Sequence, residues 1–386
     1  MKSNYNQLGQ YIEMVSRTNS DLKYGIEDVR GCSNTKQMMQ TRANLIGRTY
    51  EKFIVLRPQE FVFNRRTTRN GEKIGMAYNN TDREYIFTND YVAFRVKQEY
   101  LDKLLPDYLY MFFCRDEFDR YARYKSTGSA TEFFNWEDMC AVPFEIPPMD
   151  FQQLVVNAYK VLNERIETKQ KINDNLATQA LTLFSDFVSH RSKKLEQRKL
   201  GDVIASANTG GDAIQKVPIV DYDTGIKCAR VGDITNAREY ASWAFCNASK
   251  SVYDNYKLQA GDILVTRTAT LGITQYIAKD ISAVYNNGLI RLKVDDTNVL
   301  SLYIYWAMKT SDFLNYINQM NSATSVRPNM KIDYLLNYQL SIPSIEEQTQ
   351  FTNAVEPLMK AISLNNDEIL KLSEFQAIIL TTLSSR

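Results

Sequence analysis

The residue types best suited to binding chemistry fall in two pairs of polar stretches. The first pair is NRRTTRNGEK (Asn64 to Lys73) and TRTATLG (Thr266 to Gly272). Arg65, Arg66, Arg69 and Lys73 in one, and Thr266, Arg267 and Thr268 in the other, set cations beside hydroxyls and turn residues. A guanidinium can give paired hydrogen bonds to a guanine edge, while threonine and asparagine serve bases or phosphates. The second pair is KSTGSATEFFNW (Lys125 to Trp136) and MNSATSVRPNM (Met320 to Met330), where Lys125, Thr127, Ser129, Ser322, Thr324 and Arg327 suit phosphates and groove edges. For each of these residues the competing role is a polar loop that caps the next element.

Nucleic-acid binding rests on these local patterns alone. Lys plus Arg number 46 against 45 Asp plus Glu, a net charge of +1, so the whole chain does not advertise a polyanion partner. Catalytic equipment is harder to find. The sequence contains no G-x-x-x-x-G-K-[ST] loop, no G-x-G-x-x-G, no H-E-x-x-H and no G-x-S-x-G elbow. NTGGDA at Asn208 lacks the lysine of a nucleotide loop and is expected to be a surface turn. IPPM at Ile146 lacks the polar residue that adenine methyltransferases place before their proline pair, and Asp221 with Asp223 is a weak metal motif. The five cysteines are odd in number, scattered and never in a CxxC pair, so neither a disulfide framework nor a zinc site is expected. One histidine, His190, nearly closes off base-assisted nucleophiles. A binding module is the better reading.

The elements that must position these loops are organised by a repeat. The segment from Ile146, IPPMDFQQLVVNAYKVLNERIETKQ, lies without a gap on the segment from Ile342, IPSIEEQTQFTNAVEPLMKAISLNN, at an offset of 196 residues. Upstream, LGQYIEMV at Leu8 parallels LGDVIASA at Leu200, and IFTNDYVAFRV at Ile86 parallels VYNNGLIRLKV at Val284. The chain thus reads as two copies of a mixed domain followed by a helical arm: 1–145 and 200–341 for the domains, 146–199 (with a connector) and 342–386 for the arms. The fold class expected is α+β, with two mixed domains separated by two long antiparallel helices forming a coiled-coil rod, related by an internal pseudo-two-fold repeat.

Apolar residues at Val155, Tyr159, Leu162, Ile166, Ile172, Leu176, Leu183 and Phe187 make one helical stripe, and the second arm repeats it from Phe351 to Leu383. Each stripe needs a covering partner, and the other arm is the simplest; the competing arrangement is that each arm caps its own domain. An arm of roughly 40 residues would be about 60 Å long. Pro357 predicts a kink or a late helix start. Strands are expected within Tyr256–Arg267, Ile273–Ala278 and Leu289–Val294, and a helix near Tyr100–Tyr124 and again near Ser301–Asn318. RSKKLEQRK (Arg191 to Lys199) reads as a solvated basic connector. A composition of 44% hydrophobic residues is enough for a core, while the absence of an apolar run of roughly 18 to 20 residues argues against a membrane span and for the cytoplasm.

With LGDVIASANTGG, AGDILVTRTATLG, YNNGLIRLKV and the duplicated IPP or IPS before its helices, the chain resembles the specificity (S) subunit of type I restriction–modification enzymes. SDLKYGIEDVRGCSNTK at Ser20 looks like the opening of one recognition-domain subtype. The first helix departs by reading MDFQQ where the second reads IEEQ, and Gln59 begins QEF where Gly261 begins GDI. The resemblance implies no catalysis by this chain and no cofactor of its own. It implies binding to a split site in double-stranded DNA, one target-recognition domain per half. Two methyltransferase (M) subunits would methylate adenine with S-adenosylmethionine, and restriction (R) subunits would cut DNA using ATP and Mg. Half-sites on one face of DNA lie about 34 to 36 Å apart per turn, a distance such a rod can bridge. The alternatives are a self-contained modification or restriction enzyme and an interaction scaffold that does not bind DNA.

Overall fold

In the computed structural model, residues 6–41, 45, 47–67, 73–128, 132–189, 196–210, 218–294, 299–323 and 329–383 are described. The chain divides into two compact units, 1–165 with 372–386, and 166–371. In the first unit the strands are β1 (Ile12–Val15), β2 (Arg30–Cys32), β3 (Met38–Gln40), β4 (Ile54–Leu56), β5 (Phe61–Asn64), β6 (Met76–Tyr78), β7 (Tyr85–Phe87) and β8 (Tyr91–Val96). They are followed by helices α1 (Pro106–Phe113), α2 (Asp116–Lys125), α3 (Trp136–Cys140) and the long α4 (Met149–Ser189).

Four strands form an antiparallel sheet in the order β1-β8-β5-β6, with Phe61 opposite both Phe94 and Tyr78. Successive strand side chains point to opposite faces, and both faces are covered. Phe61 and Phe63 join the helix-side core with Phe94, Phe113 and Phe118, whereas Val62 joins Val15, Leu56 and Ala93 on the other side. Double coverage explains why Phe61, Val62 and Phe63 of β5 are apolar and buried in succession rather than alternating. The pairs β2–β3 and β4–β7 make the smaller layer.

The second unit contains β9 (Glu196–Lys199), β10 (Ile204–Thr209), β11 (Ile219–Val220), β12 (Lys227–Ala229), α5 (Val231–Thr235), β13 (Phe245–Cys246) and α6 (Lys250–Tyr256). It continues with β14 (Ile263–Thr266), β15 (Thr274–Tyr276), β16 (Ala283–Tyr285) and β17 (Leu289–Val294). Helices α7 (Ser301–Ala307), α8 (Ser311–Ala323) and α9 (Ile332–Leu336) precede β18 (Gln339–Ile342) and the final helix α10 (Ile345–Thr382). Its main sheet has the order β10-β17-β14-β15, the order of the first unit strand for strand. Ile263 and Val265 face the helices while Leu264 faces the smaller sheet β11-β13-β12-β16.

The repeat extends to individual hydrogen bonds. Gln152 and Gln348, both fully buried, sit near the starts of α4 and α10. The side-chain oxygen of Gln152 accepts from the Leu105 amide at 2.9 Å, and that of Gln348 from the Leu300 amide at 2.8 Å. Their Nε2 atoms donate to the carbonyls of Pro147 and Pro343, at 2.8 and 2.9 Å. Each helix is thereby rooted in the domain that precedes it.

The two long helices run antiparallel within each unit. In the first, Asn163 accepts from Gln376 at 2.7 Å and Val155 and Tyr159 share a core with Ile379 and Leu383. In the second, Phe184 and Phe187 meet Phe351 at ring distances of 5.2 and 5.4 Å. The stripe itself differs from the expectation. Ile172 and Leu183 are exposed, whereas Lys169, Asn173, Ala180 and Phe184 face inward. Steps of three and four from Ile166 land on Lys169 and Asn173, and Ile172 is one position, about 100°, off that face.

Other expectations are corrected at element ends. The helix near Tyr100–Tyr124 is two helices, because the Cys114 amide turns back onto both Tyr110 and Met111 and three acids then open α2. The helix near Ser301–Asn318 is likewise two, with the Thr310 hydroxyl accepting from the Phe313 amide at the new start. Tyr256 ends α6, so the strand expected from there begins only at Ile263. The basic connector is not wholly solvated chain: Glu196–Lys199 pairs antiparallel with β18, Leu340 opposite Arg198. Asn208 and Thr209 belong to β10 rather than a turn, and the adjoining Gly210 has no room for a Cβ, which would lie 2.1 Å from the Tyr285 carbonyl. Helix α10 starts at Ile345 and continues through Pro357, so no late start occurs.

Candidate nucleic-acid interface

The two sets of candidate loops come together in each unit. In the first, the chain leaving β5 carries Arg65 and Arg66 and pairs with the segment after α2. Arg66 bridges to Phe133, Phe133 also bridges to Thr127, and the Phe134 amide donates to the Arg65 carbonyl at 2.9 Å. Thr67 uses its amide and its hydroxyl on the Glu132 carbonyl, at 3.0 and 3.2 Å. Arg65, Arg66, Lys73 and Thr127 are all exposed.

Their charge is available to a polyanion. Arg66 meets Asp90 at 3.4 Å and Lys73 meets Asp116 at 3.5 Å, but all four side chains are more than half exposed. Such pairs contribute about 0 to 1 kcal/mol and are screened by salt, so a phosphate can displace the acid at little cost. Lys125 lies 5.9 and 5.8 Å from the ring centres of Tyr121 and Tyr124. Tyr124, 82% exposed near the end of α2, places an aromatic ring beside these cations and was not among the expected site residues. Its signal was present in the spacing YARYK, which sets Tyr121, Tyr124 and Lys125 on neighbouring turns.

The second unit builds the same junction with different use of its side chains. The Met330 amide donates to the Arg267 carbonyl at 2.8 Å, and Thr268 bridges to Asn329. Thr266, in contrast to the expectation, is buried, and its hydroxyl accepts from the Ile273 amide at 3.0 Å. It closes the loop from inside. Arg267 spends its Nε on the Met330 carbonyl at 3.1 Å and an Nη on the Asn287 carbonyl at 3.3 Å. The guanidinium therefore pins three segments together and keeps its charge at the surface. Ala269 stands at the loop tip with φ of +62°, a conformation that costs a non-glycine residue about 1 to 2 kcal/mol. Asn287, exposed beside Arg267 in the YNNG turn, belongs to this patch and was not among the expected site residues.

Ser322 falls within α8. Arg69, Ser129, Thr324 and Arg327 lie outside the described residues. The D-x-D motif is a local turn, with the Asp223 carboxylate accepting from the Gly225 amide at 2.7 Å. Among the described residues no group of three His, Cys, Asp or Glu is arranged to hold a metal ion, and no helix is long and apolar enough to cross a membrane. The five cysteines are free thiols.

Residues 192–374 match the family model of the type I restriction modification DNA specificity domain. This chain carries a type I specificity domain. The match takes in the second unit's strands, its Arg267 loop and most of α10, and the expectation of a type I specificity subunit stands on it. Among solved structures, the chain is similar to the S subunit of a type I restriction-modification system from M. genitalium, at 13% identity, over 98% of this chain and 96% of that one, with a TM-score of 0.52. That likeness concerns the fold. An HsdS subunit from Thermoanaerobacter tengcongensis aligns at 15% identity over 98% and 95% of the two chains, with a TM-score of 0.35. A chain from a structure concerned with complex assembly and conformational transition of the type I R-M system aligns at 14% identity over 98% and 96%, with a TM-score of 0.40. A comparison with curated protein sequences gives no match. Apart from residues 372–374 the first unit lies outside the matched specificity domain, yet it has the same sheet order, the same buried glutamine at its helix root and the same loop junction.

Proposed function

We propose that this chain reads a bipartite site in double-stranded DNA for a type I restriction–modification complex. The recognition domains, 1–145 and 200–341, each take one half-site, and the helices that link them set the separation. The observation that carries this reading is the repeated junction between the strand-end loop and the segment after α2 or α8. One scaffold holds both loops, while the exposed residues differ: arginines, a lysine and tyrosine in one unit, a pinned arginine with threonine and asparagine in the other. Two copies with unlike surfaces suit two unlike sequences.

Contacts from Arg65, Arg66, Arg69, Lys73, Lys125, Thr127 and Ser129 would serve one half, and Arg267, Thr268, Ser322, Thr324 and Arg327 the other; Thr266 supports its loop from inside. Two methyltransferase subunits would dock on the helices, restriction subunits would join them, and S-adenosylmethionine, ATP and Mg would be bound by those partners. A charge of only +1 suits this division, since partner subunits can supply phosphate neutralisation. Mapping DNA methylation in cells that express the partner subunits with and without this chain tests the proposal. A split motif that appears only when the chain is present supports it, and methylation that is unchanged by the chain overturns it.

A further inference from the structure

We infer that Glu239, Asn366, Asn173, Asn365 and Lys169 form a positioning strut that fixes the angle of the second recognition domain on its helices. The inference rests on the DNA-reading function proposed above. The bonds run in an unbroken series. Glu239, in the loop after α5, accepts from Asn366 Nδ2 at 2.7 Å, and Asn366 Oδ1 accepts from Asn173 at 2.7 Å. Asn173 Oδ1 accepts from Asn365 at 2.8 Å, and Asn365 Oδ1 accepts from Lys169 Nζ at 2.9 Å. Lys169 also meets Glu368 at 2.7 Å.

Three of these residues occupy positions where apolar side chains would serve stability better. Lys169 and Asn173 lie between Ile166 and Leu176 on the inward face of α4, and Asn365 lies between Ile362 and Ile369 on α10. Apolar contact is non-directional, whereas a polar layer in a helix seam holds one arrangement at a cost in stability. Asn366 is turned toward the domain and uses both halves of its amide, one on the partner helix and one on Glu239.

The domain end of the strut is stiff. The carbonyl of Arg238, next to Glu239, accepts from Trp243 Nε1 at 2.9 Å and from Gln275 in β15 at 3.4 Å. Elsewhere the domain grips the helix pair near its root, where Tyr303 packs on Phe184 and Phe351 at ring distances of 5.3 and 6.2 Å. A single attachment there would leave a pivot. The root packing continues along α10 to Met359, and Asn366 lies about 10 Å beyond it at about 1.5 Å per residue, so a second attachment there removes the pivot.

The test uses the full chain with Cys32, Cys114 and Cys140 replaced by serine, nitroxide labels at Lys250→Cys and Glu356→Cys, and a pulsed electron–electron distance measurement. Asn366→Leu and Glu239→Ala are expected to broaden the distance distribution at least twofold, while Glu239→Gln, which keeps an acceptor, restores the narrow one. In complex with methyltransferase subunits, the broadened variants are expected to lose about tenfold of the preference for the native half-site spacing over one a base pair longer, with both half-site sequences unchanged. Unaltered distance width together with unaltered spacing preference overturns the strut. Should the parent chain show no preference for any split site, the DNA-reading proposal fails, and the distance width alone decides the strut.

Discussion

Buried charge separates the two units at the level of single residues. Lys36, held in a turn with φ of +63°, pairs with Asp119, whose carboxylate also accepts from the Ile74 amide at 3.0 Å. Burial lowers the lysine's pKa, opposed by Asp119. Removing one member strands the other, so Asp119→Ala is expected to lower unfolding free energy by about 3 to 5 kcal/mol in a denaturant titration. Lys309 is a second case, lowered from 10.5 to about 8 by burial, with its ammonium on the Thr274 carbonyl at 2.8 Å. Because the folded state releases this proton more easily than the unfolded chain, stability should rise between about pH 8 and 10.5 and be lowest below that window. Lys309→Met is expected to raise stability at pH 7 by about 1 kcal/mol and to abolish that alkaline rise in thermal melts. Arg65 and Arg267 should also part company. Arg65→Ala is expected to reduce the salt dependence of DNA binding by about one phosphate contact with the melting temperature unchanged, whereas Arg267→Ala, by freeing the Met330 and Asn287 carbonyls, lowers the melting temperature as well.

Helices and sheets show which parts of the molecule were legible in sequence. The long helices and their repeat stood out because a gap-free offset and a three-and-four period persist over some 45 residues. The seam was read less well. Counting only apolar residues drew Ile172 into it and left out Lys169 and Asn173, since a polar residue on an inward face has no signature until its partners on another helix are known. The split helices were hidden for a similar reason: Cys114 and Thr310 end and start helices through local hydrogen bonds, with no proline or glycine to mark the break. Of the candidate site, the loops were found by composition. The inward turn of Thr266 was not, because its burial depends on the strand register that places Val265 and Thr266 opposite Ile290 and Leu289. Gln152 and Gln348 carry an element-level prediction. Gln152→Ala and Gln348→Ala each leave a buried amide and a proline carbonyl without their partner, and each is expected to cost about 2 to 3 kcal/mol. Similar losses in urea titrations of the two variants would confirm that both helix roots are built alike.

For the whole molecule, the proposed reading of a split site by two unlike surfaces on one repeated scaffold predicts that its two halves are independent. The first unit's aromatic core, with Phe61, Phe94 and Phe113 in mutual contact, differs from the aliphatic Ile263, Val265 and Leu292 of the second. Each unit has its own core of buried residues. Replacing residues 1–145 with the corresponding domain of another specificity subunit, and sequencing the methylated sites produced with the same methyltransferase subunits, tests the account most directly. The expected result is a new sequence in one half of the motif, with the other half and the spacing retained. A motif unchanged in both halves, or altered in both at once, would contradict it.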